Sequence, residues 1–418
     1  MKQYFQHLHL ANKYLLVIFG FCIPVSTALT NVVLGLLVLG WLLDNGSDRF
    51  VRWGRVLKTN PVAMMGLIVF LMHVAGLTYP DGDKEKIFES LSDGAKFLFI
   101  GMVMIYFSDK RFRQAFLLSF VTAMALILLM SCLLWLELLP EIISVKGDAS
   151  NCVIFHDHIK QNIFMAFAAF VAALQARKSG SGVVQKWLWA LFSLLALFNV
   201  LFMVQGRTGY VIVIALVLYY FLTWNRTKSL VAGILIVFLF GTFAWFNPSN
   251  PLFSRIQAIV DEVKEWDYKK PASELSSSGL RLEWYLNSLK IIKQNPVLGS
   301  GTGSFKSTYK EFVKNTERKI TDNPHNEYLM TAVQFGLAGL VVMLGFFGTQ
   351  WHQAGVFKDF FRTCMARGFV LLMMTACMTA SPLQDSAEGW FFVFMSGFLF
   401  AGINNRSPAE EKVREPLR

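Results

Sequence analysis

Apolar runs long enough to cross ~30 Å of hydrocarbon, roughly 17–25 residues each, recur along most of this chain and leave little room for an aqueous fold. Composition agrees: 54% of residues are hydrophobic, only 16% are charged, and the mean hydropathy is +0.46, well off a soluble domain. The runs read as helices, and the fold class expected is an all-α polytopic membrane protein of about twelve spans. These fall at 14–28, 29–43, 61–79, 94–107, 114–137, 161–176, 187–204, 209–224, 229–246, 326–347, 367–383 and 387–403. Residues 1–246 then hold spans one to nine, 247–325 a long helical loop, 326–403 spans ten to twelve, and 404–418 a charged tail. The first run is not followed by a small-residue cleavage pattern and a soluble domain, so it reads as a span and not as a signal peptide.

The formal charge of +11 could point to nucleic acid, but the lysines and arginines lie mostly between apolar runs. A membrane accounts for them, and no nucleic-acid partner is expected. Placing the N-terminus in the cytoplasm puts Arg49, Arg52, Arg55, Lys58, Lys110, Arg111 and Arg113 on that side. Arg177, Lys178, Lys186, Arg226, Lys228, Lys358, Arg362, Arg367 and the tail follow. The opposite short loops are poor in both residues, and 80–93 is net acidic. That is the positive-inside pattern of an even number of spans. The five cysteines show no paired spacing, which predicts neither a disulfide framework nor a metal site.

The stretch from Asn247 to Asn323 is too polar to span and lies on the outer side. Leu252, Phe253, Ile256, Ile259, Val260 and Val263 recur with helical spacing. A second helix starts near Ser278 as N-cap, with Leu282, Tyr285, Leu286, Leu289 and Ile292 on one stripe, and stops at Asn295-Pro296. Gly299, Gly301 and Gly303 precede a third pattern of Phe305, Tyr309, Phe312 and Val313. The simplest picture is a helical lid on the outer membrane surface.

Three residues carry the chemistry. His325 stands where this loop runs into span ten; Asn323 reads as the cap, Pro324 as the first helical residue and His325 as part of the first turn. A helix N-terminus disfavours imidazolium, so the ring should be neutral and able to take a proton near pH 7. The alternative is an interfacial anchor. Arg207, in Gln205-Gly206-Arg207-Thr208-Gly209-Tyr210, sits on the side that arginine normally avoids, where a guanidinium can fork onto phosphate oxygens or snorkel to headgroups. Arg281 lies one turn into the second loop helix with Trp284 and Ser288 near the same face; its bland reading is a solvated arginine paired with Glu283 or Glu274.

The loop glycines resemble a phosphate cradle, but no strand precedes them, which favours a tight connection. His156 and His158 flank Asp157 before span six, and they read as polar lining of a substrate cleft beside Lys160 and Gln161 more readily than as metal ligands. Asp81-Gly82-Asp83 reads as a turn after Pro80. His73 in span three reads as a packed, hydrogen-bonded histidine.

Together these motifs resemble the O-antigen ligase family of bacterial inner membranes, within the group that includes O-antigen polymerases and protein O-oligosaccharyltransferases. The resemblance rests on Gly-Arg-Thr-Gly, then Ser-x-Gly-x-Arg-x-x-x-Trp, Asn-Pro-Val-Leu-Gly-Ser-Gly-Thr-Gly-Ser-Phe and Pro-His-Asn-Glu-Tyr-Leu, within Gln205–Tyr210 and Ser276–Gly339. It implies transfer of a glycan from undecaprenyl pyrophosphate to lipid A–core on the periplasmic face, with inversion and without metal, ATP or other cofactor. It implies His325 as the base and Arg207 and Arg281 on the pyrophosphate. Gly206, Tyr210, Trp284, Gly301, Gly303, Asn326, His156 and His158 are then expected to line the substrates. Polymerases often carry Arg-x10-Gly patterns, but the glycine positions counted from Arg207 and Arg281 are Leu218 and Ile292. Protein-directed members usually have a longer polar C-terminal region than follows Gly402. A transporter would place charges or broken helices at mid-membrane, where these spans have few polar residues.

Overall fold

The computed structural model describes residues 2–402 apart from 45–47, 80–81, 141–143, 179, 247–250, 265 and 269–274. The tail at 404–418 and Asp81 therefore lie outside the described residues. Helices in chain order are α1 (Lys2–Val25), α2 (Thr27–Leu43), α3 (Asp48–Thr59), α4 (Pro61–Ala75), α5 (Lys84–Lys96), α6 (Phe99–Tyr106), α7 (Lys110–Trp135) and α8 (His158–Ala176). Then come α9 (Val183–Phe198), α10 (Arg207–Phe246), α11 (Pro251–Lys264), α12 (Ser277–Ile292), α13 (Phe305–Phe312), α14 (Glu327–Ala354), α15 (Phe360–Thr379) and α16 (Ser386–Phe400). No strand occurs among the described residues. Aspartate starts many of the long helices: Asp109, Asp157, Asp359 and Asp385 each accept a first-turn N–H of α7, α8, α15 and α16.

Among the described residues, eight helices are long and apolar enough to cross a membrane, or nine if α2 and α3, bent by 109°, form one span. This is fewer than the twelve expected from hydropathy. Two of the expected spans shrink because protein, not lipid, surrounds them. Helix α6 has 8 residues and α16 has 15, and both are buried along almost their whole length. Phe391 of α16 packs against Phe120, Phe164, Phe167 and Phe369 at ring separations of 5.4, 4.8, 5.8 and 5.6 Å. Phenylalanine thus builds a core around α16, where each aromatic pair adds ~0.5–1.5 kcal/mol beyond its buried area.

Two long helices are not straight. Helix α10 is helical from Arg207 to Phe246, yet a Cβ built on Gly233 would touch the Phe221 side chain at 2.9 Å. Twelve residues of straight helix span about 18 Å, so the chain doubles back between them and keeps the two arms expected at 209–224 and 229–246. Helix α14 breaks at Gly336 (φ 62°, ψ −156°). Backbone groups freed by the break pair with the preceding loop: Leu337 N–H donates to Pro296 O at 2.8 Å and Ala338 N–H to Val297 O at 3.1 Å. On the other side, Ser300 and Gly301 N–H donate to Val333 and Gln334 carbonyls at 2.9 and 2.8 Å. A break inside an apolar span is tolerated because the loop supplies these partners.

The connections expected on one side of the bilayer meet at one end of the bundle. Lys86 reaches Asp322 at 3.7 Å, Thr302 N–H donates to Gly76 O at 3.1 Å, Lys160 pairs with Asp385 at 3.0 Å, and Ser381 Oγ donates to Asn323 at 2.9 Å. At the other end, His9, Arg52 and Tyr106 converge on the Asp44 carboxylate, each at 3.2 Å.

The loop folds as α11, α12 and α13, with α12 packed against α14. Leu252, Phe253, Ile256 and Ile259 lie outside the described side chains. The cap of α12 is Ser276, whose Oγ accepts Gly279 N–H at 3.2 Å, two residues before the expected Ser278. The buried face of α12 is also not the expected stripe. Leu286 and Leu289 are exposed, while Glu283, Trp284, Asn287, Ser288 and Ile291 are buried. Two of the inward polar groups meet partners: Arg318 Nη1 pairs with Glu283 at 2.6 Å, Tyr268 Oη donates to Asn287 at 2.9 Å, and Asn287 Nδ2 donates to Tyr309 Oη at 3.0 Å; Ser288 Oγ and Trp284 Nε1 have none among the described residues.

Candidate active site

Three elements bring the site together: the N-terminus of α10, the first turns of α12, and the turn that enters α14. The chain tightens before α10 through a π turn, Asn199–Met203, and then turns at Gly206. A Cβ on Gly206 would lie 2.3 Å from Asn162 Nδ2, and one on Gly209 would lie 2.8 Å from the same atom. Small residues are required here because Asn162 of α8 fills the hollow under the turn. Asn162 is fully buried, and neither of its side-chain polar atoms has a partner among the described residues. Arg207 projects from this turn, its Nη1 donating to Ser278 Oγ and its Nη2 meeting both Glu262 oxygens at 3.2 and 3.1 Å. Tyr210 lies one turn further along α10, half-buried.

Arg281 is half-buried, and among the described residues it makes no ion pair. The partner expected from sequence, Glu283, is taken by Arg318, and Glu274 lies outside the described residues. Burial lowers the Arg281 guanidinium from its ordinary range and so does the positive charge of Arg207, with Tyr285 opposing. The two cations thus lie within electrostatic reach of each other, and Glu262 of α11 pairs with Arg207.

His325 stands outside the helix. Asn326 caps α14, its Oδ1 accepting Leu329 N–H at 3.0 Å, and the helix starts at Glu327. That corrects the expected cap at Asn323 and the expected place of His325 in the first turn. Instead His325 adopts the left-handed region (φ 55°), a conformation an L side chain holds only when its surroundings enforce it. Those surroundings are visible: its N–H donates to Asn323 Oδ1 at 2.7 Å, its carbonyl accepts Tyr285 Oη at 3.1 Å, and its ring stacks on Trp284 at 5.5 Å and 30°. Burial lowers the imidazole from its ordinary 6.5, Arg281 lowers it further, and Asp322 opposes. The neutral ring expected from the helix dipole is therefore produced by desolvation and a neighbouring cation.

The remaining expected residues divide. His158 opens α8 within contact range of the Gly206 turn and within electrostatic reach of Arg281, so it belongs to this site. His156 points away and is buried, its Nε2 against Ile23 O at 3.1 Å. Asn326 divides its side chain between the cap and Met378 O at 3.0 Å. Gly301 and Gly303 lie in the loop that docks on the break in α14; a Cβ on Gly303 would lie 2.4 Å from Lys86 O, and Gly303 lines a pocket together with Asp322 and Asn323. His73 is buried, with Nδ1 against Val69 O at 2.8 Å. Asp83 serves as the N-cap of α5. Among the described residues no cluster of histidine, cysteine or carboxylate groups could hold a metal ion.

Sequence reasoning missed Glu262, Ser278 as a partner of Arg207, Tyr285 as a clamp on His325, and Asn162. Only Asn162, a polar residue in an apolar run, carried a signal of its own.

Residues 192–344 match the model of the O-antigen ligase family. The likeness to that family is thus confined to this segment. The matched segment runs from α9 into α14 and contains Arg207, Arg281 and His325. A search of curated proteins gives no match. Among solved structures, a chain from a peptidoglycan synthase complex is similar over 82% of this chain and 96% of its own, at 13% identity and a TM-score of 0.47.

Proposed function

We propose that this protein is a lipopolysaccharide ligase of the inner membrane, moving a glycan from undecaprenyl pyrophosphate to a sugar hydroxyl of lipid A–core at the periplasmic face. The match to the O-antigen ligase family supports glycan transfer from a lipid-linked substrate. One observation carries the residue assignment: Arg281 is a half-buried cation without an ion pair among the described residues, set beside Arg207 and a histidine whose proton affinity is lowered. Such a cluster is costly unless an anion completes it, and a diphosphate with its leaving charge would do so.

In this reading the acceptor oxygen attacks the anomeric carbon while His325 takes its proton. The bond from that carbon to the diphosphate oxygen breaks, and the electron pair leaves on the diphosphate against Arg207 and Arg281. Attack opposite the leaving group inverts the anomeric centre. No covalent enzyme intermediate and no metal is required, because the arginines supply the charge that the leaving group needs. Trp284 and Tyr285 hold the base from two sides, which fixes its aim more firmly than a loop residue could otherwise manage.

The test is the glycan profile of a strain lacking the gene, complemented with the natural chain or with His325→Ala. Core without O-antigen, alongside accumulated lipid-linked polymer, is expected in the deletion strain and with His325→Ala. Core bearing one repeat would mean a polymerase. An unchanged profile would mean a protein acceptor or a transporter and would refute the ligase reading.

A further inference from the structure

Glu262 of α11 lies where a phosphate on Arg207 would have to be. Its carboxylate takes Arg207 Nη2 at 3.2 and 3.1 Å, and its Oε2 also accepts Ser278 N–H at 3.3 Å. The other arm of the guanidinium meets Ser278 Oγ. Ser278 opens α12, whose N-terminal N–H groups carry partial positive charge, so Arg207 and Ser278 form an anion cradle. The anion in it belongs to the chain itself. A carboxylate offers a guanidinium the same two-pronged face as two oxygens of a phosphate. Burial pushes the Glu262 carboxyl up, but the Ser278 hydrogen bond and the Arg207 charge pull it below its ordinary range, so it is ionised at neutral pH. The side chains of Arg207 and Glu262 are 34% and 24% exposed, and an ion pair so exposed is weak enough to exchange.

Resting on the assignment of Arg207 to the donor diphosphate, we propose that Glu262 is a latch: its carboxylate holds the phosphate position while the site is empty and is displaced when the donor binds. Ser278 then becomes a phosphate-binding residue, its N–H and hydroxyl passing from protein partners to a phosphate oxygen. Among the described residues, Glu262 is the carboxylate that pairs with Arg207 while the donor is away. The cost is a lower apparent donor affinity, because only the unlatched fraction is competent to bind.

The test uses the full chain in lipid nanodiscs, with initial rates measured against the lipid-diphosphate donor and inorganic pyrophosphate as a competing probe. Glu262→Gln keeps the shape and loses the charge. It is expected to lower the donor KM and the pyrophosphate inhibition constant together, by roughly three- to ten-fold, with kcat unchanged. Ser278→Ala is expected to raise both constants. A raised KM or a lowered kcat in Glu262→Gln would mean that the carboxylate positions Arg207, and unchanged constants would mean no competition; either overturns the latch. Arg207→Lys separates the two claims: full activity there removes the donor assignment, whereas an inactive Arg207→Lys beside an unaltered Glu262→Gln removes the latch alone.

Discussion

Replacing Arg281 by methionine should stabilise the protein and sharply slow its reaction at once. The guanidinium is half-buried, is lowered by burial and by Arg207, and has no anion of its own among the described residues. Its charged form is therefore held in the folded state at a cost that methionine, of similar length and apolar, does not incur. Removing an uncompensated charge of this kind is worth about 1–2 kcal/mol. At about 2 cal/mol/K of unfolding entropy per residue, that raises the Tm of a chain of this length by about 1–2 °C. Transfer should fall by roughly 10²–10³-fold, the usual loss when one preorganised group facing a developing charge is deleted. Thermal unfolding in nanodiscs, followed by intrinsic fluorescence, and initial transfer rates give the two readouts on one preparation. A Tm lowered by several degrees would show that Arg281 is a paired structural residue. Undiminished transfer would remove it from the reaction.

The pH profile of kcat/KM should fall on the acid side with a midpoint below 6.5, because folding lowers the proton affinity of His325. The same depression makes its stability contribution complete above 6.5 and lost as pH drops through the folded value. Arg281→Met should move the acid limb upward towards 6.5, measured on the residual activity; a wild-type midpoint above 6.5 contradicts the assignment. His325→Gly should unfold at a higher temperature than His325→Ala by an amount worth about 1 kcal/mol, since φ 55° strains alanine and not glycine, while both lack transfer. Equal stability would show that the strain is absent in solution. Gly336→Ala should leave little folded protein in a membrane extract, because φ is 62° and the new Cβ would sit 2.3 Å from Val297 O. Gly35→Ala, with nothing within 4 Å, is the control and should be neutral.

The all-helical architecture, the loop of three helices and the residues gathered at its edge were legible from periodicity and motif. Apolar runs are local features, and local physics decides them; the helix ends fell elsewhere, with caps at Ser276 and Asn326 in place of Ser278 and Asn323. The span count was less legible. Hydropathy marks α6 and α16 as apolar without telling that each is short and enclosed by other helices. Nor does it show the break in α14, where a loop arriving from 33 to 41 residues upstream supplies the partners.

The site divides in the same way. Gly206, Arg207, Arg281, Trp284 and His325 stand out as residue types in a chemically suggestive order. Their convergence does not, because Glu262, Ser278 and Tyr285 act only through contacts that the fold creates. His156 and His158 are equivalent in sequence, yet one is buried against a carbonyl of α1 and the other faces the Arg207 turn. Sequence alone determined which segments leave water and which polar residues stay at their ends, since transfer from water is paid residue by residue. Tertiary structure alone decided which apolar face meets protein and which meets lipid. Lipid is as apolar as a protein core, so hydrophobicity does not separate the two, and the choice falls to shape, small residues and polar partners.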